Sequence, residues 1–279
     1  MSNTAKRTNE SKMENPSWED LLAQCIDFMG DGQFYDKLVE LLQSLASFDN
    51  SVVFAYNNRE KPTCLADTFS QQNRAVFVDE YLKGPYLLDP FYKACSRQIK
   101  SGLYRLTDIA PDRFLQSEYY RSYYVHTDMA EELCYIFYLP AGSAVVISLM
   151  RSELSSRFSA REFRLLAKVT PVITSMAKRH WQSMAGNDSS ESINLEQHKD
   201  HSLIEEAVSD HFGQRITPRE IQVVAQVLEG HSSEAIATSL GISSGTVRIH
   251  RRNIYAKLQV SSQEELFSNF FKKMSTVHD

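Results

Sequence analysis

Four cysteines, Cys25, Cys64, Cys95 and Cys134, are all that this chain of 279 residues holds, and none shares a CxxC spacing or lies beside a histidine pair. That scarcity excludes a zinc finger and a disulfide framework and predicts free, mostly buried thiols. Tryptophan is scarcer still, with only Trp18 and Trp181. No apolar run approaches the roughly 20 residues that a membrane-spanning helix needs. The opening MSNTAKRTNESKMENPSW carries charges with no apolar stretch after them. The expectation is a cytoplasmic protein with a flexible tail over residues 1–16, no membrane partner and no cofactor. Catalytic spacings are equally sparse. The one candidate is Ser175-Met176-Ala177-Lys178, an SxxK tetrapeptide with no accompanying SDN or KTG element. An enzyme is therefore not expected.

Positive charge is in short supply overall and unevenly spread. The formal net charge is −5, yet residues 1–213 carry 22 Lys and Arg against 29 Asp and Glu, a balance of −7, while residues 214–279 carry 8 against 6, a balance of +2. An acidic protein with a basic end is built to bring that end to a polyanion.

Composition also divides the chain. SMAGNDSSESINLEQ, residues 183–197, is rich in Ser, Asn, Asp and Glu, which places a linker over 183–200 between a first domain at 17–182 and a second at 201–279. In the first, apolar periodicity predicts helices from about Ser17 and from about Gln33. SVVFAY (51–56), LCYIFYLP (133–140) and AVVISLM (144–150) read as strands, the last two paired as a hairpin across Gly142-Ser143. Ser159 with Glu162 caps a final helix reaching about Trp181. The fold class expected is α+β: an α/β sandwich of antiparallel sheet flanked by helices, similar to PAS- and GAF-type sensor domains, followed by an all-α four-helix domain containing a helix-turn-helix.

That second domain is read from its caps. TPRE (217–220) combines a Thr N-cap, Pro at the first helical position and Glu at the third. Gly230 stops the helix, Ser232 or Ser233 starts a short second one, Gly241 turns the chain and Ser243 caps a third. On the third, Val247, Ile254 and Leu258 form an apolar stripe, while Arg248 and Arg252 lie one turn apart on another face, where an arginine fork matches guanine O6 and N7 in a major groove. Ser243, Ser244 and Thr246 at the helix start suit phosphate contacts.

ITPREIQVV and GHSSEAIATSLGISSGTVRIHRRNIYAKLQV resemble the helix-turn-helix of the LuxR family of bacterial transcription regulators over residues 215–266. The usual KLGV stands here as Lys257-Leu258-Gln259-Val260, and Arg248 replaces the commoner Lys. The resemblance implies that Arg248, Ile249 and Arg252 face bases, with Lys257 in the same DNA-binding set, and that His250 is an interior residue. It also implies that the helix opening at SSQEE, carrying Leu266, Phe267, Phe270, Phe271 and Met274, is a dimer contact suited to pseudo-palindromic half-sites. The partners implied are double-stranded DNA, a second copy of the chain, a small-molecule effector not yet identified, and RNA polymerase.

Such regulators carry either a phospho-acceptor or a small-molecule domain ahead of the helix-turn-helix. SVVFAY is followed by Asn57-Asn58-Arg59, not by an acidic pair, so the small-molecule class is expected. Within YLKGPYLLDPFYK, Tyr81, Tyr86 and Asp89-Pro90 resemble the Tyr, Tyr and Asp-Pro pattern of acyl-homoserine-lactone receptors, but no tryptophan lies near them. Tyr119 with Tyr123, and Tyr120 with Tyr124, fall at helical i,i+4 spacing and form candidate pocket walls, with His126 and Glu132 as further polar groups. Two other readings stay open: a quorum-sensing receptor for an acyl-homoserine lactone or related signal, and a DNA-binding scaffold without ligand.

Overall fold

A computed structural model describes residues 16–57, 60–124, 129–140, 142–184 and 203–276, with the side chains of 123, 124 and 273–276 left out. Two helices open the described chain, α1 (Trp18–Asp27) and α2 (Phe34–Gln43). Ser17 and Asp20 cap α1 reciprocally, which satisfies two amides that a helix start leaves orphaned. Then come strands β1 (Asn50–Tyr56) and β2 (Thr63–Asp67), and the short helices α3 (Gln71–Arg74) and α4 (Pro90–Ser96). β3 (Gly102–Arg105), α5 (Leu106–Ile109), the long strands β4 (Met129–Tyr138) and β5 (Ala144–Ser152), and helix α6 (Ala160–Met184) complete this part.

The five strands form one antiparallel sheet in the order β2-β1-β5-β4-β3. Side chains alternate across it, because successive residues of a strand point to opposite faces. Val53, Leu133, Tyr135, Phe137, Val145, Ile147 and Leu149 face α1, α2 and α6 in one core. Val52, Phe54, Tyr56, Cys134, Ile136 and Val146 belong to the other, with Tyr81, Leu88, Phe91 and Phe114. The hairpin and the helix capped by Ser159 and Glu162 stand as expected. Beneath it lies Arg151, 3% exposed, stacked 4.0 Å over Phe158 and bonded to Ser47, Ser156 and Glu162. Ser175 of the SxxK run is exposed on α6. The cysteines are free thiols, three buried and Cys64 half-buried. Among the described residues, no helix is long and apolar enough to cross a membrane.

The remainder is helical: α7 (Leu203–Phe212), α8 (Pro218–Glu229), α9 (Ser233–Leu240), α10 (Ser244–Leu258) and α11 (Gln263–Thr276). The expected four helices are α8 to α11. The added α7 buries Ile204, Val208 and Phe212 at successive i,i+4 positions. Thr217 and Glu220 form the capping box of α8, and Gly230 ends it at φ +92°. Ser232 caps α9, Gly241 follows it at φ +65°, and Ser243 caps α10. Val247, Ile254 and Leu258 are buried, as their stripe predicts.

Candidate functional site

With its apolar stripe turned inward, α10 presents its other face to solvent. The side chain of Arg248 is 68% exposed, Ile249 is 52% exposed, and Arg252 is exposed beside them. Ile249 stands between the two arginines on this face, where an apolar side chain can meet a thymine methyl. Arg248 Nη2 donates to Glu234 Oε1 of α9 at 3.1 Å. At the start of α10, Ser243 Oγ accepts the Thr246 amide at 3.0 Å and bonds the Thr246 hydroxyl at 2.8 Å, with Ser244 half-buried in the first turn. Six of the candidate DNA-contacting residues thus lie between the N-cap and the ninth residue of one helix.

The others divide. Lys257 lies further along α10 and donates to both carboxylate oxygens of buried Glu220, at 2.9 and 2.7 Å. Burial pushes Glu220 upward most, but the bonds from Lys257 and Thr217 hold it below the usual carboxylate range. Lys257 therefore fastens α10 to the capping box of α8. Arg251, half-buried, reaches Tyr255 and Gln263 and ties α10 to α11. His250 is half-buried. On α11, Leu266 and Phe270, expected on a dimer face, are instead buried in the chain's own core, with Phe270 against His211 and Phe212 of α7. The helix that the sequence reading left out takes up that apolar surface. Phe267 and Phe271 are half-buried and pack on each other at 4.5 Å, and the Met274 side chain lies outside the described residues.

On the sheet-bearing part, Tyr81 and Asp89 come together in the core. Tyr81 donates to Asp89 Oδ2 at 2.6 Å and shares a 2.9 Å hydrogen bond with Tyr56 of β1. Asp89 Oδ1 accepts the Phe91 amide at 2.7 Å and so caps α4, whose first residue is Pro90. Burial, the largest influence, pushes the Asp89 carboxyl up to about 6, against the bonds from Tyr81 and the Phe91 and Tyr92 amides. Tyr86 is half-buried and edge-on to Tyr92 at 5.1 Å, and the buried Tyr92 hydroxyl has no hydrogen-bond partner among the described residues. Further along this face, Cys134 Sγ lies 3.0 Å from Ser148 Oγ and 3.5 Å from Glu132 Oε1, all three buried.

Tyr119 is buried and Tyr120 half-buried, both within 6 Å of Phe114 by ring centre, at 5.9 and 5.7 Å. Residues Tyr120–Tyr124 form a π-type turn, wider than an α-helix. The side chains of Tyr123 and Tyr124, and all of His126, lie outside the described residues. Sequence reasoning missed Tyr56, Tyr92 and Ser148. Their alternation on strands, or their i,i+3 spacing from Asp89 on α4, was the available signal.

Residues 214–270 match the bacterial regulatory proteins of the luxR family. The chain is 32% identical over 188 residues to the HTH-type transcriptional regulator of the exeN 3′ region of Aeromonas salmonicida, spanning 67% of this chain and 95% of that protein. It is 45% identical over 53 residues to the monoamine regulon transcriptional regulator of Klebsiella aerogenes, which covers 19% of this chain and 23% of the relative. Among solved structures, the LBD domain of VqsR from Pseudomonas aeruginosa is 26% identical with a TM-score of 0.53, covering 60% of this chain and 96% of that one.

Proposed function

We propose that this chain, which belongs to the luxR family of bacterial regulatory proteins, reads DNA through the exposed face of α10 under the control of a small molecule bound by its sheet-bearing part. The observation that carries the reading is the split of α10 into a buried Val247, Ile254 and Leu258 stripe and an open face of Arg248, Ile249 and Arg252. A helix held by one face and cationic on the other fits a major groove, where arginine forks read guanine and the first turn meets phosphate. In this assignment residues 201–279 are the DNA-binding domain and 17–182 the sensor, joined by 183–200. Two copies bind a pseudo-palindromic site, because a symmetric dimer matches paired half-sites.

The likeness to the VqsR LBD domain and the buried polar groups Tyr81, Asp89, Tyr92 and Ser148 support an effector that is partly polar and enters the second core. An acidic carboxyl and phenols in an apolar surround discriminate by hydrogen bond, since a ligand lacking the matching group leaves them unpaired. Selection of bound sequences from a random duplex pool, with Arg252→Ala in parallel, tests the DNA reading. A palindromic consensus that the variant fails to enrich is expected. No consensus from the wild-type chain would refute it. Thermal-shift screening with metabolites tests the sensor.

A further inference from the structure

The helical and sheet-bearing parts meet along a polar seam at the turn between α8 and α9. Arg113 N donates to Gly230 O at 3.1 Å, and Ser232 N donates to Asp112 Oδ1 at 3.0 Å. Lys93 of α4 forms an ion pair with Glu229, which is 4% exposed and whose other oxygen lies 3.4 Å from His231 Nε2. Beside this seam opens a cleft of about 290 Å³.

Helix α4 builds most of the cleft. It turns Phe91, Tyr92 and Cys95 into the second core, while Pro90, Lys93, Ala94 and Arg97, at i, i+3, i+4 and i+7, line the cleft. Just past the helix, Gln98 takes the left-handed conformation, φ +51°, and donates through its amide to Cys95 O at 2.9 Å, while Ile99 N donates to Ala94 O at 3.2 Å. This paired closure of a helix end folds Ile99 back beside Ala94. Ile109 and Pro111, at the end of α5, and His231 of the helical part complete the lining.

Apolar walls thus meet basic groups only. The neighbouring acids are engaged, Glu229 by Lys93 and His231, and Asp112 by the Ser232 amide. Arg97 is exposed and forms no ion pair among the described residues. Burial lowers the Lys93 pKa most, Glu229 and Glu205 oppose it, and Arg97 adds to the lowering. Two cations one turn apart beside an apolar wall repel each other, and an anion between them relieves that repulsion.

We propose that this cleft is a second ligand site, separate from the core that holds Tyr81 and Asp89, and that it takes a small carboxylic acid with a compact apolar body. The body lies against Ala94, Ile99, Ile109 and Pro111, and the carboxylate lies between Arg97 and Lys93. At about 30 Å³ for each water-sized group, the cleft has room for roughly ten non-hydrogen atoms. A guanidinium fork matches a carboxylate, and bonds between charged partners are the stronger ones. None of these residues lies on α10, so the site does not depend on the DNA reading.

The probe is para-toluate, which is about that size, titrated into the full chain and followed by ligand-detected NMR. Binding in the millimolar range or tighter is expected, with the neutral para-toluamide about tenfold weaker. Arg97→Met keeps an apolar stem at an exposed position. It is expected to leave the melting temperature and para-toluamide binding unchanged and to weaken para-toluate about tenfold. Arg97→Lys, which keeps the charge without the fork, should fall between. Equal para-toluate affinity in wild type and Arg97→Met places the probe elsewhere and overturns the site. Displacement of para-toluate by an equal concentration of inorganic phosphate overturns it too, because the apolar wall would then contribute nothing. So does the absence of binding by either toluene derivative.

Discussion

Arg248 and Arg252 stand one turn apart on α10, yet Arg248 has Glu234 beside it. Substituting Arg252 by Ala is expected to cost about 1–3 kcal/mol at a specific site, the worth of a bidentate base contact, with no change in melting temperature. Arg248→Ala should cost less, because the wild-type side chain first gives up an exposed ion pair worth up to about 1 kcal/mol. Fluorescence anisotropy at fixed salt, beside thermal unfolding, separates the two. At Asp89 the expectation concerns pH. Its carboxyl is raised to about 6 in the folded chain, so the folded state holds the proton more tightly than the unfolded one. That contribution to stability is complete below the unfolded pKa of about 4 and lost as pH rises through 6, on the order of 2–3 kcal/mol in all. Asp89→Asn keeps the acceptor for the Phe91 amide and removes the charge. Urea unfolding should therefore show the wild type losing stability between about pH 4 and pH 7 relative to the variant. Parallel curves would mean that the carboxyl titrates normally.

Among elements, α10 ends in a way that the sequence flagged. Gln259 adopts the left-handed conformation, φ +57°, that favours glycine, and Val260 N closes the turn onto Tyr255 O at 3.0 Å. A side chain in that region costs about 1–2 kcal/mol, partly offset by the greater chain entropy glycine loses on folding. Gln259→Gly is expected to stabilise by about 0.5–1 kcal/mol, measured as a shift in the unfolding midpoint without change in slope. The caps at Thr217, Ser159 and Ser243 were legible because capping is local chemistry, a hydroxyl or carboxylate three residues from the amide it accepts. The hairpin was legible from alternation and its glycine turn. Helix α7 shows the same periodicity at Ile204, Val208 and Phe212, but its neighbours in sequence are charged and polar, and it acquires a core only by packing on α8 and on α11, where Phe212 meets Phe270. The edge strands β2 and β3 are short and lack a fully buried residue, so no pattern announces them. The site was half legible. Tyr81 and Asp89 stood out by resemblance, whereas their bonds to Tyr56 and the Phe91 amide depend on the sheet bringing distant residues together.

For the whole molecule, the balance of charge sets the salt response. A chain of net charge −5 binds a polyanion only through a local face, and the basic residues Lys257 and Arg219 are spent on Glu220 and on Leu240 O. With about four phosphates neutralised, affinity should fall about a hundredfold between 50 and 200 mM salt, as titrations at several ionic strengths would register. A flat response would place the contacts elsewhere than on phosphate. The seam at Gly230 has a consequence for unfolding. Two hydrogen bonds donated by backbone amides and a buried ion pair join the helical and sheet-bearing parts, so both are expected to melt in a single transition, which calorimetry would register as one peak with matching calorimetric and van't Hoff enthalpies.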